Sequence, residues 1–155
     1  MASEGGLAAL DRTNLLPRTL AILSRGGWVK ADVLLVRDGE SLVIVKDFGT
    51  RRGFLRDQVA PWLVRRELRA YRYLSDHPYV PKLIRSLDRL AFVLEYRPGE
   101  PLSRSLQGHV PATFVSELAA AIRGVHERGV VHLDLRHRSN ILAGEDGHPV
   151  LLDFA

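Results

Sequence analysis

The residues best suited to chemistry lie late in the chain, in Val131-His132-Leu133-Asp134-Leu135-Arg136-His137-Arg138-Ser139-Asn140-Ile141-Leu142. An Asp and an Asn on a polar loop between short apolar stretches form an oxygen-rich group that suits a hard cation. A tight hairpin turning at Asp146-Gly147 returns Asp153 beside them. Mg²⁺ prefers one or two carboxylates, an amide oxygen and substrate phosphates. Asp134, Asn140 and Asp153 supply the protein's share of that set. Asp134 can then orient a hydroxyl and accept its proton as the hydroxyl attacks a phosphoryl group. A second feature lies upstream. Glu67 falls on the apolar face of a helical segment, between Leu63 and Tyr71. A buried carboxylate needs a cation or a proton. Two readings stand at this point. Either Lys46, at the end of a preceding central strand, pairs with Glu67 and holds a cation against a polyphosphate, or Glu67 sits at the edge of the face and reaches solvent.

The elements that must position these groups follow from period and punctuation. Residues 1–18 mix turn formers with Pro17 and read as a loosely attached arm or a short helix. Apolar runs at Leu20–Leu23, Ala31–Val36 and Leu42–Val45 predict three strands in meander order. They are separated by Ser24-Arg25-Gly26-Gly27 and by the hairpin signal Arg37-Asp38-Gly39-Glu40. Residues 57–77 switch to helical period, with Asp57 as cap and Pro61 in the first turn. Leu63, Glu67, Ala70, Tyr71 and Leu74 form its inward face. Arg65, Arg69 and Arg72 lie opposite, with Trp62 and Arg66 at the border. Tyr79–Ile84 and Leu90–Tyr96 predict two more strands, the second central because it is almost wholly apolar. Arg97-Pro98-Gly99-Glu100-Pro101 reads as a linker. Residues 112–128 predict an amphipathic helix with Phe114, Leu118, Ile122 and Val125 inward, ended by Gly129. Short strands at Val130-Val131, Ile141-Leu142 and Val150–Leu152 complete the chain. The predicted class is α+β: a five-stranded sheet with one helix, a hinge, and a reduced helical lobe.

Composition bounds these readings. The 155 residues carry 22 Lys+Arg against 18 Asp+Glu, a net +4, with 46% hydrophobic and 26% charged residues. That is ordinary globular chemistry for one domain, or for two small lobes sharing a cleft, and not that of a disordered chain. The absence of cysteine excludes a disulfide scaffold, a thiolate metal site and a thiol nucleophile. His126, His132, His137 and His148 match no zinc spacing. His137 reads as solvated or as reaching substrate. No run approaches the ~18 apolar residues of a membrane span, and no signal pattern opens the chain, so the expected location is cytoplasmic. Only Lys30, Lys46 and Lys82 are lysines, which makes each worth following. The arginine stripe Arg65, Arg69, Arg72, preceded by Phe54, Leu55 and Trp62, has three readings. It is a solvated face, or it meets an anionic surface such as the inner membrane face or an acidic lipid-sugar, or it binds nucleic acid. Nucleic acid ranks last because +4 is modest and no recognition motif is present.

Read in order, Val43-Ile44-Val45-Lys46, Glu67 on its helix, Leu94-Glu95-Tyr96 before a Pro/Gly hinge, His132-Leu133-Asp134 with Asn140-Ile141-Leu142, and Asp153-Phe154-Ala155 resemble the protein-kinase-like superfamily. The resemblance covers residues 19–155 and looks more like the atypical branch of RIO-type, lipopolysaccharide-sugar (Kdo) and aminoglycoside-type kinases. It implies a two-lobed fold with an antiparallel sheet lobe (19–96), a hinge and minimal second lobe (97–155), and an N-terminal arm (1–18). ATP with Mg²⁺, or Mn²⁺ in its place, is the implied cofactor set. By the same resemblance Lys46 contacts the α- and β-phosphates and is held by Glu67. Glu95 and Tyr96 meet the adenine edge, Leu94 guards the pocket behind, and Leu142 joins the nucleotide-binding residues. Asp134 is the catalytic base, and Asn140 and Asp153 hold the metal. His132 packs beneath the loop. Gly26 and Gly27 stand where a glycine-rich loop belongs, without the Gly-x-Gly-x-x-Gly spacing, and a Gly-Gly pair is also a plain hairpin turn.

Four departures from the family pattern matter. Leu133 replaces an arginine that would clasp a phosphorylated activation loop, so control by that route is not expected. Asp134 and Asn140 are six positions apart where the family has about five, which places an extra residue among Arg136–Ser139; otherwise Ser139 would face the metal. Ala155 stands in place of the usual glycine. The peptide-docking helices of typical kinases do not follow, so the chain reads either as a piece of a larger kinase or as an unusually small one. The implied activity is transfer of the γ-phosphoryl of Mg-ATP to a hydroxyl of a protein Ser/Thr or of a lipid-linked sugar. The alternative is a nucleotide-binding pseudokinase that regulates or scaffolds. A second copy of the chain could cover apolar surface on so small a lobe, which leaves a homo-oligomer open.

Overall fold

The computed structural model describes residues 8–132 and 134–154. In chain order these form α1 (Leu15–Arg18), β1 (Thr19–Ser24), β2 (Asp32–Asp38), β3 (Ser41–Asp47), α2 (Ala60–Tyr73), β4 (Leu83–Asp88) and β5 (Ala91–Glu95). Then come β6 (Gly99–Pro101), α3 (Phe114–Glu127), β7 (Ile141–Gly144) and β8 (Pro149–Leu151). The fold is α+β. Two compact units divide it: the chain up to Val64 together with Ile84–Tyr96, and Arg65–Leu83 together with the chain from Arg97 onward.

The first unit holds a five-stranded antiparallel sheet in the order β1-β2-β3-β5-β4. The Asp38-Gly39-Glu40 signal makes the β2–β3 turn, with Gly39 at φ 63° and Asp38 opposite Ser41. β5 lies between β3 and β4, and its run Ala91–Leu94 is buried throughout, as an apolar central strand must be. One core joins Val36, Val43, Val45, Ala91 and Val93 to Leu10 and Leu15 from the N-terminal segment. The described part of that segment is therefore not a loosely attached arm. Beyond the two buried leucines, Arg12 donates to Asp47 at the end of β3 and to Asp88 at the end of β4, both at 2.7 Å. The short-helix reading is the one the fold bears, as α1.

The second unit gathers residues 65–83 with 97–154. This division differs from a boundary at residue 96 over 65–83, and named contacts show why. The His77 ring meets the Ala121 carbonyl at 3.0 Å, Asp76 pairs with Arg128 at 3.1 Å, and Leu151 N–H donates to the Tyr79 carbonyl at 2.8 Å. β6, β7 and β8 make a three-stranded antiparallel sheet. α3 ends in a Schellman cap: Gly129 (φ 76°) donates to His126 and Val130 donates to Val125.

Several expectations need correction. The fourth strand is 83–88, not 79–84: the segment before it is a turn closed by Val80 N–H on the His77 carbonyl, and Pro81 has no N–H to give a ladder. Asp57 is no helix cap. It sits inside a π turn over Leu55–Val59 and pairs with Arg89 at 3.8 Å. The wider turn spares Pro61 a clash with the carbonyl four residues back. The helix ends at Tyr73 rather than 77. Its buried stripe is Ala60, Val64, Glu67, Leu68 and Tyr71, continued by Leu74 just past its end, which leaves Leu63 and Ala70 only half-buried. On α3, Ala121 is buried, and Leu118 and Ile122 are half-buried. Val130-Val131 forms no strand, whereas part of the expected linker does, as β6.

Candidate active site

In the first unit, Lys46 stands on β3 opposite Val33 and Phe92, buried at 7% exposure. Its ammonium lies 6.0 Å from the centre of the Phe92 ring, at the outer reach of a cation–π contact. Leu94 and Glu95 pair with Ile44 and Val43 on the same strand, so these candidates share one rigid ladder. Leu94 is buried, while Glu95 and Tyr96 are half-buried at the strand's end. The loop between β1 and β2 carries Gly26 and Gly27. A side chain at Gly26 would run into the carbonyls of Lys30 and Ala31, so only glycine fits there. The Gly26 amide is donated to the buried carboxylate of Asp32 at 2.8 Å, and Asp32 also accepts from the Thr50 hydroxyl at 3.0 Å. A side chain at Gly27 would meet nothing within 4 Å. The two glycines thus differ. Gly26 serves a structural turn, and Gly27 is the open position.

In the second unit, Glu67 on α2 is wholly buried, which overturns the reading in which it reaches solvent. One turn further on, the Tyr71 ring packs edge-on against Phe154, 5.4 Å between centres at 85°. Phe154 in turn lies 4.9 Å from the His132 ring. His132 is a hub for the loop. Its Nδ1 accepts the Asp134 N–H at 3.1 Å, which leaves Nε2–H to donate to the Leu152 carbonyl at 2.6 Å. The Asn140 amide nitrogen donates to the Asp134 carbonyl at 2.9 Å, and Leu152 N–H donates to the Asn140 carbonyl at 2.9 Å. Asp134, Asn140 and the strand leading to Asp153 are therefore bonded into one frame. Asp153 itself has φ 61°, the left-handed region that Asp tolerates better than most residues.

Asn140 is buried and Ser139 is exposed, with a single 3₁₀ turn over Arg138–Asn140 taking up the added length. Because Asn140 spends its nitrogen on the Asp134 carbonyl, its oxygen is the acceptor end. The donor chemistry then fits a cation that draws most of its ligands from phosphates and water. Among the described residues, no three His, Cys, Asp or Glu side chains converge on a metal position. Leu142 stands on β7 between Pro101 and Val150, half-buried. The expectations about Leu133 and Ala155 lie outside the described residues. One contact was absent from the sequence-based site: His137 Nε2 lies 3.4 Å from Asp134 Oδ1. The signal for it was the three-residue spacing, which brings side chains together only once the loop is known to turn.

No family model matches the chain. Among curated proteins it is similar to the human serine/threonine-protein kinase LATS1, 33% identical over 134 residues, covering 79% of this chain and 12% of that protein. It is also similar to mouse LATS2 (32% over 126 residues; 76% and 12%) and to serine/threonine-protein kinase KIPK2 of Arabidopsis thaliana (36% over 97 residues; 56% and 10%). The chain thus spans about an eighth of the length of the relatives it matches. These likenesses are to serine/threonine-protein kinases, and they support the protein-kinase-like resemblance of the motifs.

Proposed function

We propose that this chain is an ATP-dependent phosphotransferase that moves the γ-phosphoryl group to a hydroxyl, with protein serine or threonine as the acceptor class. The carrying observation is the frame in which His132 and Asn140 hold the Asp134 main chain from both sides. Such a frame fixes the backbone from which a general base reaches its hydroxyl. In the reaction the acceptor oxygen bonds to the γ-phosphorus, the bond from phosphorus to the bridging oxygen breaks, ADP departs, and the hydroxyl proton passes to Asp134. Lys46 would bind the α- and β-phosphates. Glu95 and Tyr96 would present the hinge backbone to adenine, with Leu94 and Leu142 as apolar walls. Gly27 would lie nearest the phosphates. Asn140 and Asp153 would hold Mg²⁺, which spreads the charge of the phosphoryl oxygens. The relatives' names favour a protein hydroxyl; a lipid-linked sugar, and with it the atypical branch, rests on the motif resemblance alone.

The test uses γ-labelled ATP and a mixed Ser/Thr peptide library. Asp134→Asn should lower transfer by about 10²–10⁴-fold, and Lys46→Ala should abolish it at sub-saturating ATP. Equal transfer by wild type and Asp134→Asn would refute the assignment. A second reading, nucleotide binding without transfer, is favoured by one observation. The Gly26 amide that would cradle a phosphate is already given to Asp32. Binding of Mg-ATP with no labelled product on any hydroxyl would select it.

A further inference from the structure

We infer that Asp32, Thr50 and Arg51 are positioning residues for nucleotide phosphates: together they brace the loop that carries Gly26 and Gly27. The inference rests on the reading of that loop as the phosphate-facing one and of the ligand as Mg-ATP. All of its groups lie in the first unit. The β1–β2 ladder ends at the pair of Ser24 and Val33, so residues 25–31 run outside it. Side chains brace them there. At the near end, Asp32 Oδ1 accepts the Gly26 N–H at 2.8 Å. At the far end, Arg51 Nη2 donates to the Lys30 carbonyl. Thr50 joins the two ends, its hydroxyl donating to Asp32 Oδ2 at 3.0 Å and accepting from Arg51 Nη1 at 2.9 Å. Arg51 Nη2 also lies 3.6 Å from Asp32 Oδ1, an ion pair whose side chains are only 13% and 6% exposed.

The brace and the lysine share a strand pair. In the β2–β3 register Asp32 faces Asp47, the next pair is Val33 with Lys46, and Thr50 and Arg51 follow shortly after β3 ends. The loop is thereby tied to the backbone that carries Lys46. Two groups that grip one polyphosphate must keep a fixed spacing, since small misplacements cost affinity and rate steeply. The loop lacks Gly-x-Gly-x-x-Gly spacing, and the brace supplies the order. Its two glycines divide the work. A side chain at Gly26 would strike the Arg51 guanidinium and the Lys30 carbonyl, and the Gly26 amide is given to Asp32, so this glycine is the foot of the brace. Gly27, where a side chain would meet nothing within 4 Å, stays open to a ligand. Charge is balanced as well. A lone carboxylate here would repel a polyphosphate, and the Arg51 guanidinium offsets that of Asp32.

The experiment places Thr50→Val, Thr50→Ser and Arg51→Gln in the full chain and titrates each with Mg-ATP and with adenosine, which has the same base and no phosphate. Thr50 is exposed, so Thr50→Val removes the bridging hydroxyl without opening the core or changing the charge. Thr50→Val and Arg51→Gln should weaken Mg-ATP binding by about five- to tenfold and leave adenosine binding unchanged. Thr50→Ser, which keeps the hydroxyl, should bind both ligands as wild type does. Thr50→Val decides alone should Arg51→Gln fail to fold. Wild-type Mg-ATP affinity in Thr50→Val overturns the inference while leaving nucleotide binding intact. An equal loss for adenosine overturns it too, because it marks a general structural defect. So does a loss in Thr50→Ser as large as in Thr50→Val. If the wild-type chain binds no Mg-ATP, the functional reading fails and the inference falls with it.

Discussion

His77 shows how one side chain ties local chemistry to the stability of a whole unit. It is buried, its Nδ1 accepts the Tyr79 N–H at 3.2 Å, and its Nε2 meets the Ala121 carbonyl at 3.0 Å. Both nitrogens are satisfied by the neutral Nε2–H tautomer, and a second proton would have to sit where Tyr79 already donates. Burial accordingly pushes the His77 pKa down from its ordinary value. The unfolded chain then takes up the proton first. The stability contributed by neutral His77 is present above about pH 6.5 and is lost as pH falls below it. His148 has the opposite sign. Its hydrogen bond to Glu117 raises its pKa, so its small, solvent-screened contribution is present at low pH and fades as pH rises. Urea unfolding between pH 8 and 5 should therefore show stability falling on the acid side, and His77→Gln should flatten that fall. An unchanged pH slope in the variant would rule the explanation out. At this scale the sequence was informative where residue type alone carries the chemistry. The apolar helix face that carries Glu67 was legible, but whether its carboxylate is buried or reaches solvent was not. The His137 contact was not, because a three-residue spacing means proximity only in a turn, and nothing in Leu135-Arg136 announces one.

Among the elements, period was read more securely than phase or punctuation. The meander of β1–β3 and the buried β5 followed from apolar runs and the Asp-Gly turn, whose signals are local. Two errors have a common cause. Val80 and Pro81 are apolar because they are buried beside a turn, not in a strand, and Gly99-Glu100-Pro101 looked like a linker although it pairs with β7. In each case a tertiary partner decided the outcome: Leu151 for Tyr79, and Ala143 and Gly144 for the strand. Gly99 gives this a measurable form. A side chain there would lie 2.6 Å from the Ala143 carbonyl oxygen, so β6 can approach β7 only with glycine at that position. Gly99→Ala should lower the unfolding free energy by about 1–3 kcal/mol, the usual cost of forcing atoms into a packed site. Denaturant titration measures it, and a wild-type midpoint would show that β6 shifts without cost. The arginine stripe follows the same logic of phase. Arg65, Arg69 and Arg72 are exposed because the buried stripe of α2 runs through Val64, Glu67, Leu68 and Tyr71.

For the molecule as a whole, the division into units bears on how ligand binding should be read. Lys46 and the hinge candidates belong to one unit, while Glu67, Asp134, Asn140 and Asp153 belong to the other. Each unit thus carries its own proposed contacts to the nucleotide. Mg-ATP at 100 times its Kd should stabilise the folded chain by about 2.7 kcal/mol. For a chain of this size that corresponds to a rise of roughly 5–11 °C in Tm. Lys46→Ala and Asp153→Asn should each reduce the rise, since each removes a proposed contact to the nucleotide or its metal. Scanning calorimetry with and without Mg-ATP reads both, and no rise in wild type would count against nucleotide binding in either functional reading. No helix among the described residues is long and apolar enough to cross a membrane.

The left-handed backbone at Asp153 places two separate demands on one codon. The main chain asks for a residue at ease with positive φ, which ranks glycine first, asparagine and aspartate next, and β-branched residues last. The proposed metal contact asks for a charged oxygen, which only aspartate satisfies at that length. A saturation library at position 153 should therefore yield two orderings that do not coincide. Cellular abundance should be highest for Gly, with Asn close to Asp and Val or Ile at the bottom. Survival under selection for phosphotransfer should keep Asp alone.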